Sequence, residues 1–184
     1  WAALRHEPQQ TFALIGDAAY WRQRNSGAPI HEITALDQAA SCFAEALPVL
    51  HRPLAAHPLP GTIHAATAPQ VIAAIDEAVE LAFAGDISAM VTNPIHKDAL
   101  YAAGFRHQGH TDYLAHLAAG YGRSVQEVMM LVADDLRTIP VTVHIPLKDV
   151  PVQLTAAGII AQARVTAADL RRYFGIATPR LAFT

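Results

Sequence analysis

The chain has 184 residues and a formal net charge of −3, with 52% of its residues hydrophobic and 16% charged. This composition is typical of a folded globular protein and excludes a disordered chain. The charges are scattered without a long run of one sign, which excludes a broad nucleic-acid-binding surface but leaves room for a small anionic ligand. No apolar run is long enough to cross a membrane.

The single cysteine, Cys42, excludes an internal disulfide and a zinc–thiolate cluster. We interpret it as a small buried side chain, and its isolation favours a reducing compartment, so we predict a cytoplasmic protein. The first residues, WAALRHEPQQ, read like the tail of a helix, and the last, PRLAFT, like a strand cut short. Both ends predict a piece of a longer protein.

The first half of the chain alternates short apolar runs with helical patterns. Asp17 stands where it can cap a helix, and Gly85 is a plausible helix stop. In chain order we predict strands at 11–15 and 30–34, helices at 18–25, 37–50 and 69–84, and an extended surface loop at 51–60.

The second half continues the alternation. We predict strands at 87–92, 127–133, 139–145 and 180–184, and helices at 98–104, 112–122 and 154–174. The pattern favours an α/β protein with helices covering a mixed, mostly parallel sheet that is incomplete at both ends. The pair within 127–145 is a candidate antiparallel hairpin.

Three polar loops are candidate ligand-binding sites. They are TNPIHK at 92–97, QGHTD at 108–112 and VHIPLKD at 143–149, and the first and third directly follow predicted strands. In open α/β sheets, ligands collect beyond the carboxyl ends of strands. These loops are therefore where we expect any chemistry to occur.

The QGHTD loop offers a candidate anion site. Gly109 allows the backbone to approach a ligand closely, and His110 and Thr111 add side-chain donors where a helix begins. A helix N-terminus presents unpaired N–H groups and a partial positive charge, which suit a phosphate or carboxylate. The alternative is that Thr111 is an ordinary N-cap and His110 a surface residue.

His144 and Lys97 each have two interpretations. His144 ends a predicted strand, where a neutral imidazole can bind a divalent metal, but a lone histidine is more often structural. Lys97 can hold a carboxylate or phosphate or move a proton, or it is simply a solvated lysine. Five further histidines fit no ligand motif, and we interpret them as surface residues: His6, His31, His51, His57 and His64.

At these loops the sequence resembles the 4-hydroxythreonine-4-phosphate dehydrogenase family of vitamin B6 biosynthesis. The resemblance covers most of the chain after about residue 68 and is looser before it. No Rossmann glycine motif, P-loop or hydrolase elbow points elsewhere. The matching stretches stand in family order: VTNPIHKDALYAAGF, GHTDYLA, VMMLVADDLRTIPVTVHIPLKDV and RRYFGIATPRLAFT.

The resemblance implies a three-layer α/β/α fold like that of isocitrate and isopropylmalate dehydrogenases, and a homodimer. It implies a partial first domain at 1–92 and a partial second domain at 93–184 that carries the substrate and metal loops. It also implies oxidation of a phosphorylated hydroxy amino acid with NAD, followed by decarboxylation. A divalent metal (zinc, magnesium or cobalt) would polarise the reacting oxygen.

Carried over residue by residue, the resemblance makes His144 a metal ligand and His110 and Thr111 substrate-binding residues. Lys97, beside the same cleft, receives a weaker catalytic assignment. The family's other metal histidines and its NAD-contacting segments are expected beyond Thr184, so the chain alone is expected to be inactive. Two alternatives stay open: a related dehydrogenase of phosphorylated threonate or erythronate, and a non-catalytic phosphate-binding fragment.

Overall fold

The computed structural model describes residues 1–24, 27–122 and 125–184. These residues form two compact units, Trp1–Gly109 and His110–Thr184. The units divide later in the chain than the domain boundary predicted after residue 92, and the division into domains at that point remains a prediction.

Helices dominate both units. The α-helices of the described residues are α1 (Ala18–Arg24), α2 (Ala39–Cys42), α3 (Ala68–Ala84), α4 (Lys97–Ala102), α5 (His110–Gly120), α6 (Val150–Gln153) and α7 (Ala156–Phe174). Single turns of 3-10 helix lie at Pro8–Gln10, Leu36–Gln38, Ala65–Thr67 and Leu147–Asp149. The strands are β1 (Leu14–Gly16), β2 (Ile30–Ile33), β3 (Leu47–His51), β4 (Leu131–Ala133) and β5 (Leu136–Thr138). Among the described helices, none combines the length and the apolar character that crossing a bilayer requires.

A parallel three-stranded sheet organises the first unit. Its strand order is β1-β3-β2, so the last of these three strands in the sequence occupies the centre. Leu14 pairs with Val49, and Ile30 pairs with Leu47. Four consecutive β3 residues are buried. Since successive side chains of a strand point to opposite faces, both faces of the central strand are covered, as parallel sheets require.

The predicted helix at 37–50 is wrong for most of its length. Only a 3-10 turn and the four residues of α2 are helical, and residues 47–51 form β3 instead. The apolar run LPVL is continuous rather than helical in its spacing. Pairing on both sides with β1 and β2 outweighs the weak helical pattern, because it buries the whole run.

Helix α3 confirms the strongest helical prediction. Pro69 lies at its first turn, where the absent N–H is not missed, and Gly85 ends it in the left-handed conformation at φ 86°. Leu81 packs against a core of Ile33, Ala39 and Leu50. The helix therefore belongs to the first unit because its apolar side covers the sheet core.

The strand predicted at 87–92 is wrong. The segment pairs with no strand in the described residues, and the side chain of Val91 is 96% exposed. An apolar run favours a strand only where a neighbouring strand edge accepts it, and that condition is not visible in a local pattern. The segment is extended chain leading to α4.

The predicted antiparallel hairpin exists in the second unit, but its second strand lies earlier in the chain than predicted. Strands β4 and β5 pair antiparallel, with Leu131 opposite Thr138 and Ala133 opposite Leu136. Asp134 turns the chain in the left-handed region at φ 49°, a conformation that Asp tolerates better than most residues. The sequence DDLRT is thus the turn and β5 itself, and residues 139–145 do not form the predicted strand.

Helix α7 confirms the prediction for 154–174, apart from its first residues. The side chain of Thr155 caps it by accepting a hydrogen bond from the N–H of Gly158 at 3.1 Å, and Gly175 ends it at φ 66°. The strand predicted at 180–184 is wrong, because these residues have no regular structure and no strand partner. The helix predicted at 18–25 is confirmed as α1, except that residue 25 lies outside the described residues.

Candidate active site

Lys97 is the first residue of α4 and is exposed on the first unit. His96 precedes it as N-cap, and its Nδ1 accepts a hydrogen bond from the N–H of Ala99 at 3.4 Å. A cation at this end of a helix opposes the helix dipole. Local helix stability therefore does not explain a lysine at this position, and its catalytic role remains a prediction.

His110 and Thr111 lie in the first turn of α5, in the second unit. His110 is half-buried and Thr111 is exposed. Because α5 begins at His110, Thr111 lies inside the helix, and its interpretation as an N-cap is wrong. The first N–H groups of an α-helix have no partner within the helix. An anion can bind there, although Asp112 already places one carboxylate in the same turn.

His144 is exposed and follows residues 139–143 without belonging to a strand. Its backbone lies in the left-handed region at φ 57°. That conformation is uncommon outside glycine and costs roughly 1 kcal/mol or more. The backbone at His144 is thus held in a conformation that few residues adopt, which is a feature of many ligand-binding positions.

A complete metal site is not present in the part of the chain that the structure describes. No three His, Cys, Asp or Glu side chains there are grouped so that they could hold an ion. Zinc and similar cations need three or four protein ligands. His144 therefore fits the role of one ligand at most, and that role remains a prediction.

A cluster that the sequence did not predict lies at the carboxyl edge of the parallel sheet. Asp17 directly follows β1 and is only 4% exposed. Its carboxylate accepts hydrogen bonds from the N–H of Tyr20 at 2.9 Å and of Leu54 at 2.9 Å. Nε2 of His57 lies 3.1 Å from the same carboxylate. Asp17 thus caps α1, as predicted, and also joins the segment after β3 to it.

The pKa of Asp17 reflects this environment. Burial alone raises the pKa. The hydrogen bonds from Leu54, Tyr20 and His57 and the charge of His57 together outweigh burial and lower the pKa to about 2. The carboxylate is therefore charged throughout the physiological range. A buried, charged acceptor with three donors is a strong local anchor.

A second histidine closes the same edge. His51 ends β3, and its Nδ1 accepts the N–H of Ala18 at 3.1 Å. The interpretation of His51 as a surface residue is therefore wrong, because it is half-buried and connects β3 to α1. His57 does lie at the surface, but its contact with Asp17 spans 40 residues. A spacing of that size leaves no local signal in the sequence.

The comparison with known families decides the relationship. The family described as pyridoxal phosphate biosynthetic protein PdxA matches residues 8–184. The chain belongs to the PdxA family. This confirms the resemblance seen in the sequence motifs and extends it over nearly the whole chain.

Two curated PdxA relatives carry the name 4-hydroxythreonine-4-phosphate dehydrogenase. The one from Caulobacter vibrioides is 44% identical over 184 residues, covering 99% of this chain and 55% of the relative. The one from Bradyrhizobium diazoefficiens is 42% identical over 193 residues, covering 99% of this chain and 56% of the relative. The chain thus spans about half the length of these proteins.

A solved structure supports the fold. The 4-hydroxythreonine-4-phosphate dehydrogenase from Burkholderia phymatum superposes with a TM-score of 0.77 and 31% identity, over 97% of this chain and 55% of that one. The predicted α/β class with a parallel sheet is therefore confirmed, and the described strands form two separate sheets. The parallel strands lie in the first unit and the antiparallel hairpin in the second.

The second unit also contains an open apolar cavity of about 200 Å³. It lies between residues flanking the hairpin and the carboxyl-terminal half of α7. The polar residues of its lining are Thr166, Asp169 and Tyr173. The hydroxyl oxygen of Thr166 is buried without a hydrogen-bond partner in the described residues. None of the four predicted site residues lines this cavity: Lys97, His110, Thr111 and His144.

Proposed function

We propose that the protein is an NAD- and divalent-metal-dependent dehydrogenase that oxidises and decarboxylates 4-hydroxythreonine 4-phosphate. One observation carries the proposal: relatives with that name are 42% and 44% identical over 99% of the chain. The matched region covers 99% of the chain and therefore includes all three candidate loops. The proposal concerns the full-length protein, in keeping with relatives of about twice this length.

The substrate phosphate is assigned to the N-terminus of α5. His110 and Thr111 stand in its first turn, where the positive end of the helix dipole favours an anion. The hydroxyl of Thr111 is exposed and adds a donor. A side-chain donor to a charged phosphate is worth more than a neutral hydrogen bond. These features support phosphate binding at α5.

The metal is assigned one ligand from this chain, the imidazole of His144. Its exposed position and left-handed backbone suit a side chain held out toward a ligand. The described residues do not complete a metal site. The remaining ligands therefore have to come from other residues of the full-length protein. A measurement of direct metal binding tests the assignment of His144.

Lys97 is assigned to proton transfer at the reacting hydroxyl. Oxidation of a secondary alcohol removes a hydride from carbon and a proton from oxygen. NAD supplies the hydride acceptor when it is bound. Lys97 in its neutral form would take the hydroxyl proton, and its exposed position at the start of α4 leaves its amine available to a substrate.

The second step follows from the first. The ketone formed lies β to the substrate carboxylate, so loss of CO₂ leaves its electron pair delocalised onto the ketone oxygen. Reprotonation at carbon then gives an aminoketone phosphate. A cationic group beside the ketone oxygen stabilises that charge.

We further propose that the enzyme is a cytoplasmic homodimer. Light scattering on the purified protein tests the oligomeric state, and cell fractionation tests the compartment.

The deciding experiment uses the full-length protein with NAD and zinc, magnesium or cobalt. We expect NADH formation and CO₂ release in equal amounts from 4-hydroxythreonine 4-phosphate. Faster turnover of phosphorylated threonate or erythronate would instead identify the related catabolic dehydrogenase. No NADH from any of the three would reject the dehydrogenase.

A binding-only protein is a second candidate, favoured for this chain by the absence of a complete metal site in its described residues. Calorimetric titration of the purified chain with the phosphorylated substrate, with and without zinc or magnesium, separates the two. Metal-independent binding of the substrate, together with no turnover in the full-length protein, would support the binding protein. Substrate binding that strengthens with metal would support the enzyme.

A further inference from the structure

The contact between Asp17 and His57 is placed where it can control a segment of the chain. Asp17 follows β1, and residues 52–64 follow β3, the neighbouring strand in the sheet. The carboxyl ends of parallel strands are where ligands bind in open α/β sheets. Whatever fixes residues 52–64 therefore also determines access to this edge.

We propose that Asp17 and His57 form a proton-sensitive clasp that holds residues 52–64 against the carboxyl edge of the sheet. The clasp is closed when His57 carries a proton and loosens when it loses it. This is a property of the first unit and does not depend on the proposed enzymatic activity.

The geometry supplies two attachments from one carboxylate. Asp17 accepts the N–H of Leu54 at 2.9 Å and contacts Nε2 of His57 at 3.1 Å. The carboxylate is buried, whereas the side chain of His57 is 41% exposed. A proton can thus reach the imidazole from solvent, while the acceptor remains shielded from water.

A third attachment comes from α1. Arg24 donates a hydrogen bond to the carbonyl of Pro58 at 2.5 Å. Its guanidinium lies 5.0 Å from the centre of the Tyr20 ring, and that ring makes an edge contact with His57 at 5.6 Å between centroids. The segment is therefore held around His57, with residues 54, 57 and 58 each attached.

The surrounding charges determine the direction of the response. Asp17 is the anion that faces the imidazole, and it favours the charged ring. Arg24, reached through Tyr20 on α1, opposes that charge from a greater distance, and His51 at the end of β3 is engaged with the backbone of Ala18. Arg52 is paired with Glu77 of α3. The direct 3.1 Å contact between His57 and Asp17 is the geometric basis on which protonation is proposed to tighten the clasp.

The segment is suited to move as a unit. It contains three prolines, Pro53, Pro58 and Pro60, which restrict the backbone and reduce the entropy gained on release. Leu59 and Ile63 are 71% and 61% exposed, so little apolar burial holds the segment beyond the attachments described. Polar attachments at residues 52, 54, 57 and 58 therefore carry most of its restraint.

Hydrogen exchange measures the clasp directly, because the amide of Leu54 is one of its bonds. The matched control is the amide of Arg52, which donates to the carbonyl of Gly16 at 2.8 Å and makes no bond to Asp17. Exchange rates of the wild-type chain are divided by their intrinsic rates at each pH. We expect the protection of Leu54 to be about fivefold higher near about pH 5.5 than near about pH 8, with Arg52 changing little.

Substitution tests whether His57 is the group responsible. In His57→Gln we expect the pH response of Leu54 to disappear, while His64→Gln, which changes another exposed histidine of the segment, leaves it intact. Equal protection of Leu54 at both pH values in the wild type, or the same pH response in His57→Gln, would overturn the proposal. The wild-type comparison decides the matter even if a variant does not fold.

Discussion

The imidazole of His51 accepts a hydrogen bond from the N–H of Ala18 at 3.1 Å, and so connects the end of the central strand to the start of α1. Ala18 is fully buried. An N–H in that position needs a protein partner, because water does not reach it. The imidazole of His51 is therefore the acceptor that this buried N–H requires.

Replacing His51 with Ala leaves the buried N–H of Ala18 without its acceptor. We expect the free energy of unfolding to fall by about 1–2 kcal/mol. Urea denaturation with His64→Ala as a control for an exposed histidine measures the effect. An equal loss in both variants would show that the bond contributes nothing specific.

Asp17 predicts the acid limit of stability. Its pKa is about 2 in the folded protein, below the ordinary value of 3.8 for an aspartate. Since the folded pKa is lowered, the stabilisation is fully present above about pH 4 and is lost as the pH falls toward 2. The amount is on the order of 2 kcal/mol. Asp17→Asn should remove this part of the acid dependence, whereas Asp86→Asn, at an exposed position after α3, should not.

Val49 and Val91 test the corrected positions of the strands. Val49 lies fully buried in β3, and Val91 is 96% exposed in the segment where a strand was predicted. We expect Val49→Ala to lower the free energy of unfolding by about 2 kcal/mol and Val91→Ala by less than about 0.5 kcal/mol. A large loss in Val91→Ala would mean that the segment is buried in solution.

Thr111 tests the assignment of the phosphate site on α5. We expect Thr111→Val to weaken binding of the phosphorylated substrate about tenfold, because a donor to a charged group is lost while the shape is kept. Calorimetry on the full-length protein measures this, with Thr178→Val as the control at an exposed position of the second unit. Unchanged affinity in Thr111→Val would remove this residue from the site.

Cys42 is expected to react slowly with thiol reagents. Burial has the largest effect and raises the pKa of its thiol, a backbone hydrogen bond partly opposes it, and the charge of Glu45 raises the pKa slightly more. The reactive thiolate is therefore scarce near neutral pH. A cysteine placed at the exposed neighbour, in the double variant Ser41→Cys and Cys42→Ala, should react several times faster. Equal rates would contradict the expectation.

Local signals in the sequence predicted some elements well. Helix α3 is marked by Pro69 at its first turn and by Gly85 after its last, and both signals act within a few residues of the helix ends. Asp17 is predictable as a cap because capping, too, needs only neighbouring N–H groups. Elements that are stabilised by interactions between neighbouring residues can therefore be predicted without knowledge of the rest of the fold.

Non-local pairing explains what the sequence did not predict. Strand β3 contains Pro48, which lacks the N–H of a ladder and argues against a central strand. Only the presence of β1 and β2 on its two sides makes residues 47–51 a strand. Residues 87–92 show the reverse, a run typical of strands without a partner among the described residues.

The same distinction between local and non-local signals applies to the candidate site. The family motifs placed His110 and Thr111 on loops that the structure extends into α5, and they singled out His144, whose left-handed backbone no spacing could reveal. The sequence does not predict the cluster around Asp17, because Leu54 and His57 are distant from Asp17 in the sequence. Roles in catalysis and metal binding still rest on the family relationship.

The strand order β1-β3-β2 has a consequence for synthesis on the ribosome. The two outer strands are made first, and neither can bond to the other, because the place between them belongs to residues not yet translated. The sheet therefore cannot assemble until residues 47–51 have left the exit tunnel. Until then the nascent chain exposes two unpaired strands, which makes it prone to aggregation during this interval.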